Sequence, residues 1–251
     1  GENEKLIFKI LKRGEKLSTT AGGGPADLAD LGLRFDLTVP LARYYAENHA
    51  KLPRPLKAIQ IGPVWRAERP QRGRYRQFTQ CDIDILGVAS VVADVELILA
   101  TSDALLALGV PRPTVRVNDR RMLGALAAHC GFAPGREDSL FIALDKLDKV
   151  GMAGVFDELR EAGHEAGALD RLRSLLDALG PAPVPVERLR TAMSGADAGL
   201  FDPVTTILRS VTGEAGGRYD VVFDPTLVRG MGYYTGPIFE VTQAGYPVSI
   251  A

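Results

Sequence analysis

Cysteine is nearly missing: Cys81 and Cys130 are the only two. That number excludes a disulfide framework, and their separation has no metal-ligand spacing. The expected setting is reduced and cytoplasmic, with no metal site. Histidine is also scarce. His49, His129 and His164 fall in segments that read as helical, without carboxylate or serine partners nearby, and none is assigned to catalysis. No apolar run approaches the roughly 18 residues a membrane span needs, and no signal-peptide pattern is visible. Charge of one sign is not in excess: the net charge is −1 over 251 residues, which excludes wholesale coating of nucleic acid and allows a localised basic site. There is no internal repeat and no phosphate-cradling Gly-rich loop. Apolar residues make up 46% of the chain, enough to bury a substantial core in one or two domains.

What is concentrated is arginine. Arg66, Arg69, Arg72, Arg74 and Arg76 lie within eleven residues, in a stretch that is broken by Pro70 and Gly73. The segments on either side, Ile59 to Glu68 and Tyr75 to Leu86, alternate apolar and polar residues as strands do, so the whole reads as a hairpin with arginines on both arms. Guanidinium matches phosphate bidentately and keeps its charge, which suits a polyphosphate clamp. A solvated basic loop is the plainer reading of such a run. Glu68 and Phe78 among the arginines suit a nucleotide better than bulk water, and Gln80 adds an amide that could bond phosphate or carboxylate oxygens.

Elsewhere the pattern alternates between sheet and helix. Residues 5 to 17 predict a hairpin turning at Arg13-Gly14, and residues 18 to 32, with Gly22-Gly23-Gly24-Pro25, a flexible loop. Leu37 to His49 predicts a helix with Thr38 as N-cap and Pro40 in its first turn. Asp94 to Leu108 predicts another, stopped by Gly109. Thr114 to Asn118 reads as a short strand. Asp119 to about Val211 is Ala- and Leu-rich and almost wholly helical in pattern, broken at Gly131 to Gly135, Gly163, Gly180 to Pro185 and Gly195. Lys146-Leu147-Asp148-Lys149 reads as a solvated helix face with charge pairs. Strand character returns at Tyr219 to Phe223 and Ile238 to Val241. The start at Gly1 and the stop inside a strand-like segment at Ala251 give the expectation of a fragment.

Three segments carry a family resemblance. Arg66-Ala67-Glu68 with the Arg69-to-Phe78 turn and Gln80 resembles motif 2 of class II aminoacyl-tRNA synthetases, in the wording of the histidyl-tRNA synthetases. Leu227-Val228-Arg229-Gly230-Met231-Gly232-Tyr233-Tyr234-Thr235-Gly236, followed by Ile238-Phe239-Glu240, is similar to that family's Arg-Gly-Leu-Asp-Tyr-Tyr signature. Leu33-Arg34-Phe35-Asp36-Leu37-Thr38 is similar to its Leu-Arg-Pro-Glu-Gly-Thr segment. The resemblance implies an α+β fold, a mostly antiparallel sheet flanked by helices. Residues 1–118 and 212–251 would form a discontinuous catalytic domain and 119–211 a helical insertion. Motif 1, motif 3 and the anticodon-binding domain would lie outside this chain. It implies ATP-dependent activation of L-histidine and transfer to tRNA(His), on a homodimer in the full-length protein that meets the tRNA acceptor stem. ATP enters with Mg2+ as a substrate complex, without a tightly bound cofactor. The alternatives are a synthetase-like histidine-binding regulatory subunit of ATP phosphoribosyltransferase and a bare tRNA-acceptor module. Of the fragment alone, little or no adenylation is expected.

The same resemblance assigns roles. Arg66 and Arg229 are the catalytic cations at the α-phosphate. Arg66, Glu68, Arg74 and Phe78 form the ATP site: Glu68 takes the adenine amino group or Mg2+, Arg74 the outer phosphates, and Phe78 stacks on the ring. Asp36, Thr38, Arg66, Gln80, Asp84, Arg229, Tyr233 and Tyr234 form the histidine site. Taken singly, Arg66 and Glu68 read as an ion pair, Phe78 as core, Arg229-Gly230 as a turn, and the carboxylates as solvated. Two residues depart from the family pattern. Asp36 stands where glutamate is common, shortening the reach by one methylene, and Gly232 replaces the aspartate before the tyrosine pair, so that carboxylate's role does not carry over.

Overall fold

A computed structural model describes residues 2–14, 16, 27–71, 73–229, 234–246 and 249–251. Two compact units, Gly1–Val88 and Ala89–Ala251, make up the chain.

In the first unit a 3-10 turn (Glu2–Leu6) leads into β1 (Lys9–Leu11), which pairs antiparallel with β2 (Ala29–Gly32). This corrects the expected hairpin over residues 5 to 17. The partner of β1 arrives from beyond the Gly/Pro-rich segment, where Gly32 permits a close approach: a Cβ there would meet Ile7 Cγ2 at 2.8 Å. Gly22 to Pro25 lies outside the described residues. α1 (Thr38–Asn48) follows, and Thr38 is not its cap. Asp36 Oδ1 accepts from the Val39 N–H at 3.1 Å, so the carboxylate two residues earlier satisfies an orphan donor of the first turn.

β3 (Leu56–Trp65) and β4 (Gln77–Leu86) form an antiparallel ribbon in continuous register from Leu56↔Leu86 to Trp65↔Gln77. Both strands are shorter at the turn than their alternation suggests, and Arg66 and Glu68 lie just past the end of β3. Period two sorts the residues by parity. The even positions of β3 are partly or fully buried, ending at Val64 with no exposure. On the other face Ile59 and Ile61 are 70% and 71% exposed.

In the second unit β5 (Thr114–Asp119) is central, with β6 (Asp220–Phe223) parallel on one side and β7 (Pro237–Thr242) antiparallel on the other. A parallel pair requires a crossover. Here the crossover holds α3 (Arg120–Cys130), α4 (Glu137–Asp145), α5 (Leu147–Glu161), α6 (Ala166–Leu179), α7 (Val186–Ala192) and α8 (Asp202–Ala215). α2 (Val91–Ala107) precedes β5 and packs on α8; it starts earlier than expected because Ser90 caps it, Oγ accepting from the Val92 N–H. Amphipathic spacing explains the packing. Val204, Ile207, Val211 and Ala215 fall on one stripe of α8, and Leu169, Leu172, Leu176 and Leu179 on one stripe of α6. Burying each such leucine contributes about 1.5 to 3 kcal/mol. One apolar core runs through these helices and all three strands.

Local chemistry closes the helices. Asp119 Oδ1 accepts from the Arg121 N–H at 2.8 Å and caps α3. Gly131, at φ 80°, ends it, where a Cβ would also meet the Arg171 guanidinium. His164 corrects the sequence reading: it sits in the turn after α5, and its Nε2 lies 2.6 Å from Ser139 Oγ. Ser139 already donates to the Arg136 carbonyl, so the pair clasps a turn and makes no nucleophile. The basic-acidic run near residue 147 is paired as expected, Lys146 with Glu158 and Asp148 with Arg116.

The two thiols should differ sharply. Burial pushes the Cys130 thiol up to about 11, against a small opposing pull from Arg171, while Cys81 is exposed on β4. Because the thiolate is the nucleophile, iodoacetamide at about pH 8 should label Cys81 in the folded protein and Cys130 only after unfolding. Equal labelling under native conditions would contradict the packing of α3.

Candidate functional site

The first unit gathers most of the expected site residues. Arg34 stitches the loop before α1 onto β3: its Nε and Nη2 donate to the Pro63 carbonyl at 3.1 and 2.7 Å, and its own carbonyl accepts from the Trp65 N–H at 2.8 Å. Gly62 leaves room for this crossing, since a Cβ would lie 2.8 Å from Arg34 Nη2. Gln60 Nε2 donates to the Leu37 carbonyl at 3.1 Å, fixing the next turn of that loop. The loop therefore holds Phe35 and Asp36 against the ribbon.

Arg66 lies between two rings. Its guanidinium carbon is 4.6 Å from the Phe35 ring centroid and 5.1 Å from that of Phe78, and Nε donates to the Phe35 carbonyl at 3.3 Å. Cation–π contact on two sides restricts the fork to its plane. Arg66, Glu68, Gly73, Arg74, Tyr75 and Phe78 line one cavity of about 260 Å³. All four residues expected at an ATP site are in that lining. The ion pair is not the expected one: Glu68 Oε2 lies 3.2 Å from Arg74 Nε, across the turn, rather than beside Arg66. Arg76 Nε donates to the Glu68 carbonyl at 3.1 Å, and Gly73 turns the tip at φ 77°. Arg72 lies outside the described residues.

Below the cavity the even-numbered face of β4 presents Phe78, Gln80, Asp82 and Asp84. Gln60 of β3 stands opposite Asp82, and its Nε2 reaches Asp84 Oδ2 at 3.5 Å. Burial raises the pKa of Asp84, a shift the Gln60 bond opposes. Asp82 is raised as well, first by burial, then by the charges of Asp84 and Asp36, while Arg66 pulls it down. Gln80 Oε1 is buried and has no hydrogen-bond partner among the described residues. Buried amide oxygens normally find a donor, so this one is free to receive a donor from a ligand. Sequence reasoning missed Asp82, Phe35 and Gln60. Asp82 was within reach, because the alternation over Tyr75 to Leu86 puts it on the same face as Gln80 and Asp84. Thr38 is partly buried in the first turn of α1.

The remaining expected residues lie in the second unit. Arg229 follows β6, with its Nη1 3.7 Å from Glu240 Oε1 on β7. Tyr234 is 43% exposed. Tyr233 and Gly232 lie outside the described residues.

The fold that carries this loop and ribbon is shared with solved structures of histidyl-tRNA synthetase type. The chain superposes on histidyl-tRNA synthetase from Nostoc sp. PCC 7120 with a TM-score of 0.72 at 25% identity, covering 86% of this chain and 50% of that one. It also matches a Bacillus halodurans structure described as an ATP phosphoribosyltransferase regulatory subunit/histidyl-tRNA synthetase, with a TM-score of 0.77 at 23% identity over 98% and 60% of the two chains; that likeness shows the fold alone. The sequence decides the family. The family model for histidyl-tRNA synthetase matches residues 25–251. Histidine–tRNA ligase from Leifsonia xyli subsp. xyli is 48% identical across 100% of this chain, and that from Porphyromonas gingivalis 38% across 96%. The chain belongs to the histidyl-tRNA synthetase family. It spans 60% of the Leifsonia protein and 55% of the Porphyromonas one.

Asp82 supplies a test of this geometry. Its native pKa is raised above 3.8, so the native state binds more protons than the unfolded one between the two values. Folding stability therefore falls as pH rises through that window and stays lower above it. Asp82→Asn removes the cost. Trp65, the chain's one tryptophan, sits in β3 and reports the first unit by fluorescence. The variant should melt above wild type at about pH 7, and the difference should vanish near pH 3, where both states are protonated. A gain that persists at low pH would assign the effect to something other than the charge.

Proposed function

We propose that the protein containing this chain is a histidine–tRNA ligase, and that residues 1–118 and 212–251 form its catalytic domain around a helical insertion at 119–211. The cavity lined by Arg66, Glu68, Arg74 and Phe78 above the Gln80–Asp84 face carries the reading. Membership of the family supports it. A carboxylate oxygen of L-histidine attacks the α-phosphorus of ATP; the bond to the bridging oxygen breaks, and pyrophosphate leaves. Adenylyl transfer of this kind needs positioning and charge stabilisation more than covalent participation by the protein. Arg66, fixed between Phe35 and Phe78, holds the α-phosphate and the substrate carboxylate. Arg74 meets the outer phosphates on leaving its pair with Glu68, which frees that carboxylate for the adenine amine or for the Mg2+ that arrives with ATP. Phe78 offers the ring face.

Histidine needs an anion for its ammonium and hydrogen-bond partners for its ring nitrogens. Asp36, Thr38, Gln80 and Asp84 fill those roles, with Tyr233 and Tyr234 walling the ring. Arg229 is the second cation at the α-phosphate. The activated histidine then passes to the terminal hydroxyl of tRNA(His), which attacks the carbonyl carbon as AMP leaves. A cytoplasmic homodimer that grips the acceptor stem is part of the proposal. No described helix is long and apolar enough to cross a membrane.

Histidine-dependent exchange of pyrophosphate into ATP by the full-length protein tests the reading. Histidine binding without exchange would replace it with the regulatory-subunit alternative. Within the same assay, Arg229→Ala should slow adenylation by roughly a hundred- to a thousandfold with the KM for ATP nearly unchanged, since it acts on charge that develops in the transition state. Arg66→Ala should lower the rate and raise that KM together, because Arg66 also grips the ground state. An Arg229→Ala enzyme that keeps its rate and loses only ATP affinity would make Arg229 a binding residue.

A further inference from the structure

The turn that delivers Arg229 is fixed by a polar frame. The Asp224 N–H donates to the Val117 carbonyl of β5 at 3.0 Å, and its Oδ1 accepts from Thr226 N–H and Oγ1–H at 2.8 and 2.7 Å. Asn118 Nδ2 donates to the Leu227 carbonyl at 3.0 Å, and Leu227 and Val228 are buried. Arg116 completes the frame, its Nε and Nη2 donating to Asp224 Oδ2 at 2.8 and 2.5 Å. Burial opposes the charge on Arg116, but Asp224, then Asp148 and Glu240, hold its pKa above the ordinary value. The backbone is thus anchored up to Val228, and what is left to orient is the Arg229 side chain, 48% exposed.

Glu240 stands beside it. This carboxylate is on β7, directly across from Arg116 in the β5–β7 register, and its side chain is only 11% exposed. The Arg116 fork is already taken up by two bonds to Asp224 and a third contact at 3.4 Å to the exposed Asp148. Glu240 therefore faces Arg229, with 3.7 Å between Oε1 and Nη1. That distance is an ion pair without hydrogen-bond geometry, so the carboxylate aims the guanidinium while leaving its donors for another oxygen anion.

We infer that Glu240 is a positioning residue for Arg229, orienting that guanidinium toward the α-phosphate without touching substrate. The inference rests on the catalytic reading of Arg229. A fork displaced by an ångström loses about two orders of magnitude in rate in comparable settings.

The test is a double-mutant cycle on single-turnover histidyl-adenylate formation in the full-length protein, with KM for ATP and histidine and melting temperature measured alongside. Glu240→Gln should slow adenylation by roughly ten- to a hundredfold, with both KM values within about twofold of wild type. Glu240→Asp, which keeps the charge one methylene short, should recover part of the rate. Combined with Arg229→Ala, Glu240→Gln should cost nothing further, because its effect is routed through the arginine. A wild-type rate in both Glu240 variants overturns the inference, and so does a full additional loss in the Arg229→Ala background, which would assign Glu240 to the Arg116 frame instead. A wild-type rate in Arg229→Ala would remove the reading of Arg229 and this inference with it; a slow Arg229→Ala beside a fast Glu240→Gln removes this inference alone.

Discussion

The unbroken antiparallel register of β3 and β4 is the constraint on which the first unit depends. Because side chains alternate with period two, the register decides in one stroke that Gln60, Phe78, Gln80, Asp82 and Asp84 share a face. A slip of one residue would split that face: with β4 held in place, Gln60 would pass to the opposite side and Ile59 and Ile61 would turn inward. The arginine turn inherits its geometry from the same pairing, since the Arg66 N–H donating to the Arg76 carbonyl at 2.9 Å carries the ladder one step past the strands. The loop bearing Phe35 and Asp36 is then attached to that ribbon by Arg34 and Gln60. The cavity itself is lined by the arginine turn, from Arg66 to Phe78, and Gln80, Asp82 and Asp84 continue along the face of β4 that Phe78 begins.

The second unit solves a different problem. β5 must accept a parallel neighbour that returns about a hundred residues later, and the intervening helices bury their leucine stripes around it. Among the described residues its fully buried carboxylates are answered: Asp119 caps α3 and binds Arg121, and Asp224 binds Arg116 and Thr226. Breaking such a pair costs about 3 to 5 kcal/mol, because it strands a buried charge. The frame that carries Arg229 is therefore tied from several sides, which suits the role proposed for that cation.

Much of this was legible in the chain because it is local. Alternation announced the β3–β4 ribbon and strand β5, and strand character the segments of β6 and β7; an Ala- and Leu-rich helical pattern announced the block from Asp119 to about Val211; and glycines marked the stops. What escaped was non-local or stereochemical. No periodicity says that β1 pairs with Ala29–Gly32, a partner about twenty residues on, where Gly32 leaves room for Ile7. Thr38 and Asp36 are both good capping residues, and only the backbone at Leu37 decides between them. The Arg116–Asp224 bond joins residues 108 apart, with no signal in either neighbourhood. Within the site the residue types were readable, but their pairing was not: Glu68 turned to Arg74, and Phe78 lies against Arg66.

The outer face of the ribbon has a practical consequence. Ile59 and Ile61 are each about 70% exposed, with Cys81 on the same side. Excluded salts such as ammonium sulfate strengthen apolar association. In such salts this face behaves as an adhesive, and the chain salts out earlier than its net charge suggests. Dilute buffer and a reductant, which keeps Cys81 from linking two such faces, are the conditions this surface dictates.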